Sequence, residues 1–185
     1  IRRLEPSDAA LYRALMLEAY GTSPEAFTSS VAEREGLPLQ WWAARMSEAP
    51  AATERVYGAF IGSELAGAAG LVCEQRERTN HKATLVGMYV RPAARGNGVA
   101  RRLVQEVLRH AKALPRIKVV QLTVSEQNAT AVALYRLCGF ESFGTEPMAV
   151  QLGSGFVAKV HMWCRIDENE PWPFARADRH RNREA

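Results

Sequence analysis

One stretch limits what this chain can fold into more than any other: VRPAARGNGVARRL, residues 90–103. It follows the run HKATLVGMYV, rich in β-branched and aromatic residues, which predicts a strand that Pro92 ends. From Gly98 the pattern turns helical, with Val99, Leu103, Val104, Val107, Leu108 and Ala111 on one face until Pro115 stops it. A strand, a glycine-bearing turn and a helix start are therefore joined in one segment. Arg101 and Arg102 fall in the first helical turn, where positive charge opposes the helix dipole. The first N–H groups of a helix lack internal partners, and the dipole adds about half a positive charge at that end. A small anion bound there turns both arginines from opponents into partners, and glycines let the main chain approach it closely. The segment thus reads as a phosphate-binding turn.

Two phosphate ligands fail on particular residues. A nucleoside triphosphate loop needs Lys followed by Ser or Thr after its second glycine, where this chain has Val99 and Ala100. A dinucleotide fingerprint needs a third Gly or Ala where Arg101 stands, and a strand-helix-strand unit near the N-terminus that the sequence lacks. The net charge of +4 and the pI of about 9.2 raise nucleic acid as a partner. Much of that excess lies in this turn and in the final RADRHRNREA, whereas a duplex needs a longer basic stripe. No nucleic-acid partner is expected.

The remaining segments supply the scaffold. PSDAALYRALMLEAYG predicts a first helix with Ser7 or Asp8 as N-cap, Leu11, Leu15 and Ala19 as its stripe, and Gly21 as its stop. LPLQWWAARMSEA repeats helical spacing with Leu39, Trp42, Ala43 and Met46, after a looser TSPEAFTSSVAEREG that is helical only in part. RVYGAFIGSELAGAAGLVCEQ predicts two strands turning at Gly62 and Ser63. IKVVQLTVS reads as a buried strand, and NATAVALYRLCGF as a short helix capped by Asn128 with Gly139 just past its end. Final strands are expected around residues 140–143 and 156–166. Residues 167–185 lack periodicity and are expected to be a tail outside a single domain of residues 1–166. A strand, crossover helix and second strand should pair in parallel, giving a mixed α/β sheet.

At 185 residues, 47% hydrophobic and 24% charged, the chain can bury such a core without disulfides or metal. Cys73, Cys138 and Cys164 have no metal-ligand spacing and are odd in number, so they read as reduced thiols in a cytoplasmic protein that holds no metal. No apolar run of about 18 residues marks a membrane span, and no membrane partner is expected. No signal-peptide pattern is present, although a leader removed before Ile1 stays open.

With these elements in place, the sequence resembles the GNAT family of N-acetyltransferases, which transfer acetyl from acetyl-CoA to an amine. The family signature Arg/Gln-x-x-Gly-x-Gly/Ala is met by Arg95, Gly96, Asn97, Gly98, Val99 and Ala100, in the strand, turn and helix context that the family uses. A second element, Asn ahead of a helix with Leu-Tyr and then Gly-Phe, is met by Asn128, Leu134, Tyr135, Gly139 and Phe140. GTEP at residues 144–147 and a last strand with Met162 complete a likeness that spans residues 1–166.

The resemblance implies an α/β (α+β) fold: a mixed, mostly antiparallel central sheet with a splayed parallel strand pair, flanked by helices. It implies that the backbone of Met88, Tyr89 and Val90 binds the pantetheine arm of acetyl-CoA, that residues Arg95 to Ala100 wrap the pyrophosphate, and that Asn128 touches the cofactor. The N–H of Met88 is then the candidate to polarise the acetyl carbonyl, and Tyr135 the candidate general acid for the leaving thiolate. Without the resemblance, Tyr135 reads as a core residue with its hydroxyl bonded to backbone. The implied partner is the primary amine of a small molecule or peptide, attacking directly in a ternary complex, with a homodimer left open.

An ammonium cannot attack a thioester, so the acceptor must lose a proton in the site. Many family members place a Glu on the central strand for this, but ATLVGMYV contains no acidic residue. Glu74, at the end of the preceding strand, is the candidate base, with Glu77 and His81 close in sequence and a water chain as the alternative. His161, a lone strand histidine beside Met162, reads as structural. Tyr20, Phe27, Trp41 and Trp42 are candidates for an acceptor pocket, with Trp42 favoured as core, and the loop after Phe143 is expected to contribute. The missing strand carboxylate also sustains a rival, a catalytically silent module that binds acetyl-CoA as a sensor.

Overall fold

A computed structural model describes residues 1–49 and 51–166 of the chain, so the expected tail lies outside the described residues. The strands are β1 (Arg2–Arg3), β2 (Glu54–Ile61), β3 (Glu64–Cys73), β4 (Lys82–Val90), β5 (Val119–Ser125), β6 (Glu141–Leu152) and β7 (Gly155–Arg165). They form one sheet in the order β1-β2-β3-β4-β5-β7-β6. The helices are α1 (Ala9–Thr22), α2 (Val31–Arg34), α3 (Leu39–Ala44), α4 (Val99–Lys112) and α5 (Ala129–Leu137). Strands β4 and β5 run parallel, because α4 carries the chain back between them, and the other neighbouring pairs among the described residues are antiparallel.

Each sheet face buries one helical layer. The apolar stripe of α4, Val99, Leu103, Val104, Val107 and Ala111, packs over β2, β3 and β4 and shares one core cluster with Leu71 of β3, Leu85 and Val90 of β4, Leu122 of β5 and Met162 of β7. Tyr135 of α5 and Phe140 join the same cluster. On the opposite face Tyr12, Leu15, Met16 and Ala19 of α1 meet Trp42, Met46, Val56, Ala68 and Tyr89. Each fully buried large apolar side chain contributes about 1.5–3 kcal/mol, so these two stripes fix which face of each strand points which way. The two-residue turn at Gly62 and Ser63 closes the β2–β3 hairpin as expected, with Ile61 opposite Glu64 and Gly62 at φ +60°.

Several local expectations are corrected. Leu11 and Leu39 are exposed, and the buried stripe of α1 runs through Tyr12 and Met16. The helix passes Gly21 and ends at Thr22. Neither Ser7 nor Asp8 caps α1 through its side chain. The Asp8 carboxylate instead takes a bidentate pair from Arg2 at 2.7 Å and the Glu5 N–H at 2.9 Å, which together hold it below the usual carboxylate range despite its burial. Strand β6 continues to Leu152, so GTEP lies in a strand interrupted by register shifts and not in a loop after Phe143.

Two irregularities in β4 shape the ground around the turn into α4. Its pairing with β5 stops at Thr84 and Gln121, although β4 runs on to Val90 and β5 to Ser125, so the parallel strands part beyond that point. On its other side, Gly70 pairs with Val86 but Ala68 pairs with Tyr89, which inserts an extra residue at Gly87 and Met88. Gly87 has φ +60°, a conformation glycine adopts at no steric cost, and the result is a β-bulge beside the gap.

Candidate functional site

The turn between β4 and α4 is built by its residue types. Pro92 starts a short 3-10 turn (Pro92–Ala94) that ends the strand, and the Arg95 N–H closes it on the Pro92 carbonyl. Gly96 at φ +80° and Gly98 at φ +72° then reverse the chain. Gly98 is the N-cap of α4 and offers no side chain to cap it. From Gly96 through Arg101, no backbone N–H donates to an acceptor among the described residues. Such a run of free donors at a helix start is a ready anion cradle. Asn97 and Arg102 reinforce its shape through bonds to the carbonyls of Arg95 and Asn97, at 3.4 and 3.3 Å.

The charges around it divide between two tasks. Arg91 is turned away, bridging Glu18 at 2.9 Å and Glu64 across α1 and β3. Arg95 folds back, donating Nε to the Val90 carbonyl at 2.9 Å and lying over the Tyr89 ring. With its N–H on the Pro92 carbonyl and its Nε on that of Val90, Arg95 offers an anion the charge of its guanidinium and not a free fork. The Tyr89 hydroxyl meets Thr22 and Glu18 at 3.1 Å, so that side chain serves α1 and only its backbone borders the gap.

Across the gap stands α5. Asn128 caps it, accepting the Ala131 N–H on Oδ1 at 3.0 Å, and its amide nitrogen donates to no described residue. Gly139 at φ +91° follows the helix end, as its sequence position predicted. Asn128→Ala should lower stability by about 1 kcal/mol through the lost cap, measured by denaturant unfolding. Tyr135 is buried against Phe140, with ring centroids 5.8 Å apart, yet no described residue hydrogen-bonds its hydroxyl. The core reading required a backbone partner, and there is none among the described residues. Burial pushes the phenol well above its usual pKa and keeps it protonated.

Glu74 does not join this group. Its N–H bonds to the Lys82 carbonyl, at the start of β4, and its side chain is exposed. From Lys82 to Met88 the strand advances about 20 Å. Glu77 and His81 lie in the same distant turn. His161 pairs with Glu146 at 2.9 Å and stacks near Phe143, a rim arrangement on β6 and β7.

The face opposite α4 holds the aromatic residues expected of an acceptor pocket. Trp42 is fully buried core, as its spacing predicted, while Trp41, Tyr20 and Phe27 are half-buried. Arg34 and Arg45 both stack on Trp41, at 4.7 and 5.0 Å, and Tyr20 meets Phe27 edge-on. The turn Pro24–Ala26 is pinned to the sheet by Ser125, which donates to the Glu25 carbonyl, and by Lys159, which donates to that of Ala26 at 3.4 Å. Sequence reasoning missed Glu54 on β2, whose carboxylate is paired with Arg45 at 2.7 Å on this same face. Its only sequence signal was a charge at the edge of a strand, indistinguishable from surface.

Residues 11–140 match the model of the Acetyltransferase (GNAT) family. Over 104 residues, 56% of this chain, the sequence is 31% identical to the L-amino acid N-acetyltransferase AaaT of Escherichia coli, and the match spans 62% of that protein. The fold is similar to a GNAT acetyltransferase from Streptococcus pneumoniae, with a TM-score of 0.79 and 24% identity over 90% of this chain and 98% of that one. It is also similar to yncA from Salmonella typhimurium, solved with its cofactor acetyl-CoA, with a TM-score of 0.74 and 20% identity over 94% and 96% of the two chains.

Proposed function

The chain belongs to the GNAT family of acetyltransferases, and from that premise we propose that it transfers the acetyl group of acetyl-CoA to a primary amine of a small molecule or peptide, by direct attack within a ternary complex. The observation that carries this reading is the run of unpartnered N–H groups from Gly96 through Arg101, at the end of β4 toward which β4 and β5 part. A pyrophosphate fits that donor set: the groups are backbone amides, the glycines leave them uncovered, and Arg101 and Arg102 add positive charge.

When bound, acetyl-CoA supplies an activated acetyl carbonyl. Residues Arg95 to Ala100 would hold its pyrophosphate, and the backbone of Met88, Tyr89 and Val90 would line its arm. Asn128, with its amide nitrogen free, would hold it from the α5 side. The N–H of Met88, displaced by the bulge, would stabilise charge on the carbonyl oxygen. Tyr135 would give its proton to the leaving sulfur, since its hydroxyl is protonated and committed to no described residue. The amine would enter from the opposite face, past Tyr20, Phe27 and Trp41. By analogy with the relative named for L-amino acids, that class heads the acceptors to be tried. No helix among the described residues is long and apolar enough to cross a membrane, and a cytoplasmic site of action with free thiols belongs to the same proposal.

The test is thiol release from acetyl-CoA across L-amino acids, polyamines, aminoglycosides and peptides with free amines. Saturable release with one class is expected. Calorimetric binding of acetyl-CoA without release to any acceptor would instead leave the silent acetyl-CoA-binding module.

A further inference from the structure

The acetyltransferase reading leaves open which group deprotonates the acceptor, and resting on that reading we propose that Glu54 is the general base. Glu54 opens β2 opposite Val72, on the sheet face that Val56 shares with α1. A Cβ built on Gly70 would lie 3.6 Å from the Glu54 Oε1 and 3.1 Å from the Val86 side chain. The missing side chain at Gly70 therefore lets the carboxylate lean toward Val86, next to the bulge. A Cβ on Gly87 would lie 3.4 Å from the Tyr12 hydroxyl, which places that phenol over the bulge on the same face. Tyr135 packs on the other face, with α4. Base and acid thus stand on opposite sides of the strand that borders the gap, as an amine entering on one side and a sulfur leaving on the other require.

The carboxylate is held and yet available. Its Oε1 accepts from Arg45 Nη2 at 2.7 Å, while Oε2 accepts from no described residue. The side chain is 15% exposed, and its neighbours Thr84, Val86 and Gly87 are half-buried, so the carboxylate is not sealed from solvent. The charged and titratable groups facing it are Arg45 at the end of α3, Tyr12 and Tyr20 on α1, and Arg34 of α2, which shares Trp41 with Arg45. The strand neighbours Val72, Thr84 and Val86 carry no charge. Burial outweighs Arg45 and raises the Glu54 carboxyl above the ordinary glutamate value, the direction that favours a base.

Every proton in the transfer has a donor and a destination. The ammonium N–H bond breaks and its proton passes to Oε2, directly or through one water, and then to solvent. The freed lone pair forms the N–C bond, the C–S bond breaks with its electrons on sulfur, and sulfur takes the Tyr135 proton. A second proton from the acceptor nitrogen restores the phenol. The products are amide, thiol and one proton released.

The experiment compares wild type, Glu54→Gln and Glu74→Gln, using acetyl-CoA with the best acceptor of the panel. Glu54→Gln keeps an oxygen for Arg45, so acetyl-CoA affinity should hold while kcat/KM falls about a hundredfold. The acidic limb of the pH–rate profile, where activity is lost as Glu54 protonates, should vanish in that variant and persist in Glu74→Gln. A limb due to the acceptor's own amine would move with the acceptor, whereas this one should not. Carboxyl carbon NMR adds a readout free of turnover: the resonance missing from Glu54→Gln should titrate above the ordinary glutamate range. An unchanged limb in Glu54→Gln, or a resonance titrating in the ordinary range, overturns the base assignment and leaves the enzyme reading standing. Wild type that transfers acetyl to no amine overturns the enzyme reading, and the base with it.

Discussion

Gly98→Glu should weaken acetyl-CoA binding by at least about a hundredfold, to the point where calorimetry detects none. Gly98 has φ +72°, which costs an ordinary residue roughly 1–2 kcal/mol, and a Cβ there would meet nothing within 4 Å. The substitution therefore damages little of the fold. Its carboxylate would instead stand among the free N–H groups from Gly96 through Arg101 and accept the bonds meant for the pyrophosphate. Losing two charge-assisted bonds at about 1.5–3 kcal/mol each already amounts to a hundredfold or more, before repulsion between like charges is counted. Gly98→Ala separates the causes, because it carries the conformational cost without the charge and should bind within about tenfold of wild type. Equal affinity in the glutamate variant would remove the phosphate cradle from this turn.

Tyr135→Phe should lower kcat by about 10²–10⁴-fold while leaving acetyl-CoA affinity and stability close to wild type. The hydroxyl bonds to no described residue, so deleting it strands no buried partner, and the ring keeps its contact with Phe140. The loss would fall on the step in which the thiolate leaves. Because burial raises the phenol well above its ordinary pKa, wild type should show no basic limb from Tyr135 through the neutral range. Stopped-flow measurement of thiol release checks the magnitude. An unchanged kcat would return Tyr135 to the core.

Most of the scaffold was legible because its signals are local. The α4 stripe repeats at the helical period, Asn128 can satisfy a helix N-terminus only from the cap position, and Gly62, Gly98 and Gly139 all sit where the chain adopts positive φ. Leu11 misled because helical spacing alone does not set the edge of the stripe that faces the sheet; α1 buries Leu15 and Ala19 as expected, but Tyr12 and Met16 in place of Leu11. The extent of β6 was illegible for a related reason, since its register shifts hide the alternation by which a strand is recognised.

The sequence by itself determined the glycine turn between β4 and α4, the helix ends and the placing of the two motifs on a strand and two helices, because glycine conformations, caps and periodicity act over a few residues. Only the tertiary structure decided which carboxylate lies on the sheet face beside the bulge. Glu74 comes directly after β3, but antiparallel register carries it to the far end of β4. Glu54, two strands away, is brought over Gly70 to the bulge by the pairing of β2, β3 and β4. Strand register is a long-range agreement among segments, set by which faces bury against α1 and α4, and no short stretch of sequence records it.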